Sequence, residues 1–187
     1  DEETANLHDL LIYVLKGIGS IHTQSELSEQ KLYEAGRCIS ESLFATITNA
    51  NFDPQRIRSY IDKALELRDR HFREAGLDAS ILPEAVSWNR DRTENYQAKA
   101  EEVGVLTTKD EDIRSLRELL IYGCMGISAY ADHARILGHE DSGIYRFLCK
   151  ALAATQKDLT ADELVSLVLE TGKTGVDVMQ LLDQANT

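Results

Sequence analysis

The chain repeats itself at a separation of about 109 residues. Leu7-His8-Asp9-Leu10-Leu11-Ile12-Tyr13, followed by Gly17-Ile18, returns as Leu116-Arg117-Glu118-Leu119-Leu120-Ile121-Tyr122, followed by Gly126-Ile127. Arg37, Leu43, Ala45 and Thr46 meet Arg146, Leu152, Ala154 and Thr155 at the same offset. A register held over roughly forty residues implies a duplicated multi-helix unit. Gly17 and Gly126 share one repeat position, although glycine inside a helix costs up to ~1 kcal/mol against alanine. That predicts another backbone packed closely against both, with a ligand notch as the alternative.

Helical periodicity fills in the unit. Leu7, Leu10, Leu11, Val14, Ile18 and Ile21 mark one face of a first helix. A second is predicted from Glu29 to Thr48, with Leu32, Leu43, Phe44 and Ile47 turned inward, and Asn49 to Phe52 as a polar break. Asp53 caps a third helix with Pro54 at its first position, where a missing N–H does no harm. That helix presents Ile57, Tyr60, Ile61, Ala64, Leu65 and Arg68 and ends near Gly76. Residues 77–107 read as a connector carrying one short helix from Glu94 to Val103. Trp88 there either anchors the connector or stacks on a ligand. Thr108 with Glu111 forms a predicted capping box for a helix from Asp110 to Leu137, stopped at Gly138. Asp141 or Ser142 starts the next, which ends near Thr155. Thr160 with Glu163 opens another, ended at Gly172, and a short helix from Val176 to Asp183 follows. No segment alternates like a strand. The expectation is an all-α fold: two consecutive three-helix bundles, residues 1–76 and 108–187, related by duplication and joined by the connector.

Charge and cysteine usage narrow the partners. Acidic residues outnumber basic ones 32 to 20, giving a net charge of −12, and nucleic-acid binding needs a concentrated basic face. Arg68, Arg70 and Arg73 alternate with Asp69 and Glu74, the pattern of a solvated helix surface. No apolar run approaches the ~20 residues of a membrane span, and no basic-then-apolar leader suggests secretion. Three cysteines, Cys38, Cys124 and Cys149, with no Cys-x-x-Cys spacing, fit a reducing cytosol and are too few for a four-thiolate cluster. Helical thiols among apolar residues are usually inert.

Chemical motifs fail in turn. Carboxylate-bridged di-iron bundles need Glu-x-x-His, but Ala5, Gly19, Arg68, Tyr130 and Ile136 stand three before the five histidines. His71 with Glu74 reads as a surface pair, and His133, after Asp132, as a partly buried histidine. Gly172-Lys173-Thr174 resembles the tail of a phosphate loop, yet Leu167 occupies the first glycine's place and a helix precedes it. Gly172 is read instead as a helix C-cap. The expected sets of catalytic, cofactor-binding and metal residues are therefore all empty.

Four separated stretches carry a resemblance. They are Glu3-Thr4-Ala5-Asn6-Leu7-His8-Asp9-Leu10-Leu11-Ile12, Leu43-Phe44-Ala45-Thr46-Ile47-Thr48-Asn49-Ala50-Asn51-Phe52, Ser115-Leu116-Arg117-Glu118-Leu119-Leu120-Ile121 and Leu182-Asp183-Gln184-Ala185-Asn186-Thr187. In that order they resemble the N-terminal helical region of hybrid cluster proteins, also called prismane proteins or hydroxylamine reductases, relatives of carbon monoxide dehydrogenases. The resemblance implies a pair of three-helix bundles within a cytoplasmic oxidoreductase of nitrogen metabolism. Such an enzyme reduces hydroxylamine to ammonia, or reduces nitric oxide. It also implies a cubane (4Fe-4S) or 2Fe-2S cluster and a hybrid iron–sulfur–oxygen cluster, held by polypeptide outside this chain. Cys38, Cys124 and Cys149 match none of the family's ligand motifs. The expectation is a helical scaffold domain, inactive alone, whose partners are the cluster-binding domains. It should self-associate through the apolar face those domains would cover. The alternative is a freestanding helical interaction module that has lost the redox domains.

Overall fold

The computed structural model describes residues 2–48, 52–89 and 96–187. All regular structure among them is helical: α1 (Glu2–Thr23), α2 (Glu29–Ala45), α3 (Pro54–Ala75), α4 (Tyr96–Val103), α5 (Glu111–Ile136), α6 (Ser142–Ala154) and α7 (Ala161–Ala185), with single 3-10 turns in the connector. The expected polar break falls partly on residues 49–51, outside the described residues. Of its members only Phe52 is described, and it is exposed.

Local chemistry sets most helix ends. The Asp53 carboxylate accepts from the backbone N–H groups of Gln55 and Arg56, and Asp141 does the same for Gly143 and Ile144. Thr160 and Glu163 form the reciprocal capping box. Gly76 and Gly138, both at positive φ, lie just past α3 and α5. Three expectations need correction. α2 stops at Ala45, where Thr46 turns its hydroxyl onto the Leu43 carbonyl, so Ile47 is exposed and Phe44 only half-buried. Asp110 rather than Thr108 caps α5, through Asp112 and Ile113; Thr108 instead accepts from Arg114 and Arg117. Finally, α7 runs unbroken through Gly172 and Gly175, so Gly172 is no C-cap and the separate helix at Val176–Asp183 does not exist. Thr171, Thr174 and Val178 are buried on that helix, and its packing on α5 outweighs the cost of two glycines.

The helices pair across the sequence halves. α1 packs on α3 and α6, α2 on α5 and α6, and α5 on α7; contacts of α1 with α2 and of α5 with α6 are sparse. One apolar cluster runs from Leu7 to Val178 through both halves. Gly19 permits a close crossing of α1 over α6, because a side chain there would meet the Cys149 carbonyl. Arg37 clamps Glu140 with two hydrogen bonds of 2.7 Å, and the Tyr145 hydroxyl donates to the same carboxylate at 2.7 Å.

The connector is pinned from below by Arg68. Expected on a solvated surface, Arg68 is 1% exposed. Its guanidinium donates to the carbonyls of Ala85 and Trp88 and to the Asp69 carboxylate. This brings the Ala85 carbonyl into the space a Cβ of Gly17 would fill. Trp88 is buried against Tyr13 and Tyr96, which settles it as the anchor. Above the Tyr13 ring lies Lys99, itself bound to Glu84 and Glu102. Arg68→Leu strands two buried carbonyls at 1–3 kcal/mol each, so urea unfolding should show a loss of about 3 kcal/mol. Arg73→Ala, on the exposed side of the same helix, should stay within about 0.5 kcal/mol.

Candidate functional site

Besides the Arg68 site, two clusters of partly buried polar side chains stand out among the described residues, each assembled from groups far apart in sequence. The first is a hydrogen-bonded chain of three side chains from three helices. Glu34 of α2 lies 3.0 Å from His71 Nε2 of α3, and His71 Nδ1 lies 2.9 Å from His22 Nε2 of α1. An ionised carboxylate only accepts, so Nε2 of His71 carries the proton and Nδ1 accepts from His22. Lys31 and Arg70 bracket Glu34, whose carboxyl is held below its usual range first by the His71 hydrogen bond. Burial drives His22 down to about 4 and moves His71 in the same direction. His22 opens onto a groove of about 520 Å³ lined also by Glu26, Leu32, Arg146, Cys149 and Lys150.

The expected surface pairing of His71 with Glu74 is therefore wrong. His71 is fully buried, and Glu74 pairs with Lys31 instead. The signal was present: Ile57, Ile61, Ala64, Arg68 and His71 continue one stripe of α3. His133, expected to be partly buried, is exposed and packs its ring on Phe44, while Asp132 is the buried member and binds Arg135.

The second cluster lines a cavity of about 200 Å³ between α1, α5 and the turn at Val105–Thr107. Asp9 and Glu118, which share a repeat position, contribute carboxylates, and Lys16 an ammonium. Burial pushes both carboxyls up and the lysine down. Asp9 also accepts from the Val105 backbone N–H. No ion pair within 4.0 Å joins Lys16 to either carboxylate. Arg117 donates to Thr108 and to the Lys157 carbonyl, leaving its Nε buried and unpartnered. Such a cavity has the volume and polar lining to hold several waters. Its groups can store and exchange protons.

Neither cluster carries a nucleophile fit for use. Burial raises Cys38 to about 11 and Cys124 and Cys149 to about 12, so the thiolate is suppressed at neutral pH. Among the described residues no three histidine, cysteine or acidic side chains converge as metal ligands, and the donor set does not fit an iron–sulfur cluster. Gly172-Lys173-Thr174 lies inside α7, where Thr174 donates to the Glu170 carbonyl.

The histidine chain should show itself in acid. A depressed histidine favours folding fully above its unfolded value of 6.5, and that contribution is lost as pH falls toward about 4, because the unfolded chain takes the proton first. Glu34, held low in the fold, adds a similar loss only below its ordinary value of 4.5. Between pH 7 and pH 5 we expect a loss of about 1 kcal/mol after allowing for screening. Urea midpoints measured in both buffers should show a smaller drop for His22→Gln.

The model of the Prismane/CO dehydrogenase family matches residues 1–187. A hydroxylamine reductase of Desulfitobacterium hafniense (strain DSM 10664 / DCB-2) is 48% identical over 190 residues, covering 99% of this chain and 35% of its own length. Those of Thermoanaerobacter pseudethanolicus and Acetivibrio thermocellus are 48% and 47% identical, covering 100% of this chain and 35% and 34% of themselves. The chain spans about a third of the length of the curated relatives it matches.

Proposed function

We propose that this chain, which belongs to the Prismane/CO dehydrogenase family, is the helical scaffold domain of a longer hydroxylamine reductase. The supporting observation is the near-half identity to hydroxylamine reductases along the whole chain, which accounts for only 35% of their length. The relatives' additional length leaves room for domains that bind the iron–sulfur groups, here a cubane or 2Fe-2S cluster and a hybrid iron–sulfur–oxygen cluster. In that reading the longer enzyme's reaction takes hydroxylamine, two electrons from an external donor and two protons to ammonia and water, with nitric oxide as an alternative substrate, and the clusters of the other domains would relay the electrons. This domain contributes rigidity and solvent exclusion to them, since cofactor enzymes use protein for burial and orientation.

Three free thiols support placement in a reducing cytoplasm, and no helix among the described residues is long and apolar enough to cross a membrane. Large exposed apolar side chains gather on α5 and α7, among them Tyr122, Leu169 and Val176. Such faces mark sites of association, so the chain alone self-associates there.

The purified chain is expected to be colourless above 350 nm and to leave hydroxylamine unconsumed in the presence of a reduced viologen. Brown material with turnover would sink the scaffold reading. Light scattering at high concentration should report a mass above the 20.9 kDa of one chain. A strictly monomeric result would remove the self-association.

A further inference from the structure

The sequence register and the helix packing agree on which surfaces correspond. Exchanging α1 with α5, α2 with α6 and α3 with α7 turns every major pairing of these six into another that is present. α1 on α3 becomes α5 on α7, α1 on α6 becomes α5 on α2, and α2 on α6 maps onto itself. The ends of α2 and α6 match in detail: Thr46 donates its hydroxyl to the Leu43 carbonyl, and Thr155 to the Leu152 carbonyl. One element lacks a counterpart among the described residues. It is the connector that covers α1 and α3.

Beneath the connector, Leu10 is 0% and Tyr13 8% exposed, and Gly17 abuts the Ala85 carbonyl. At the same register on α5, Leu119 is 52% and Tyr122 64% exposed, and Gly126 has nothing within 4 Å of where a Cβ would stand. The close contact expected at both glycines thus exists at only one. α7 forms the second wall. Counting from the caps Asp53 and Thr160, Leu164 takes the place of Ile57, and both are fully buried. Val165 and Leu169 take the places of Arg58 and Asp62, the residues through which α3 holds Tyr96 of the connector. Leu169 is 71% exposed, and Val176 and Met179 extend the stripe. The α5–α7 groove is the α1–α3 groove without its cover.

We propose that residues 1–76 and 108–187 are copies of one unit, and that the polypeptide following Thr187 in the longer protein lies over α5 and α7 as residues 77–107 lie over α1 and α3. This rests on the reading of the chain as one domain of a longer enzyme, whose relatives supply ample further length. Connectivity supports it: α3 runs on into the connector at Gly76, and α7 holds the equivalent place in the second unit. The groove specifies its occupant's chemistry. Apolar side chains meet Leu119, Leu169 and Val176, a backbone carbonyl approaches Gly126, and an acceptor faces the Tyr122 hydroxyl as Glu84 faces Tyr13.

Photo-crosslinking in the longer protein tests this, with benzoylphenylalanine replacing Tyr122 or, separately, Leu169. Crosslinks should map to a stretch after Thr187 no longer than residues 77–107. Crosslinks to more distant sequence, to a second copy, or to nothing would overturn the proposal. Gly126→Ala gives an independent readout. In the present chain it should leave the thermal midpoint unchanged or raise it; in the longer protein it should lower it, as Gly17→Ala does in both. The same response at both lengths would refute the covering segment. Neither measurement depends on turnover, so a catalytically active short chain would sink the scaffold reading without moving these results.

Discussion

A single buried guanidinium organises the first half of the molecule. Arg68 is the one large cation fully enclosed among the described residues, and its donors end on the connector's own carbonyls. Taking such a group from water is expensive unless its hydrogen bonds are met. Here they are met by a segment with little regular structure, whose backbone would otherwise lose its solvation without return. Each therefore needs the other. With Arg68 in place, Ala85 can approach Gly17, Trp88 can cover Tyr13, and Lys99 can rest on the Tyr13 ring.

The remaining buried polarity follows the same economy of partners. Glu34, His71 and His22 bring together α2, α3 and α1, three helices whose apolar contacts include the sparse α1–α2 and α2–α3 pairings. Hydrogen bonds of fixed direction specify one arrangement where packing alone is thin. The cavity beside Asp9, Lys16 and Glu118 is the looser case, with charges compensated through space and one guanidinium nitrogen unpartnered. It is the less tightly specified of the two.

What could be read from the sequence was whatever acts within a turn or two. Asp53, Asp141, Thr160 with Glu163, Gly76 and Gly138 are visible because each meets backbone only a few residues away. Arg68 and His71 looked like surface because their neighbours in sequence are charged, while their partners lie 17 to 49 residues off. Gly172 looked like a stop because propensity is local, and the α5 surface that carries α7 past it is not. Gly17 and Gly126 show the limit most plainly. Their sequence surroundings match, and only a segment far along the chain makes one a contact and leaves the other open.

The pairing of helices across the halves has a consequence for synthesis. The inner face of α2 is completed by α5 and α6, which follow it by roughly a hundred positions. At about 5–20 residues per second, a growing chain holds that face wet for some seconds before its partners leave the ribosome. Non-local closure of this kind slows folding. The nascent first half is thus the stage at which a holding chaperone has most to protect.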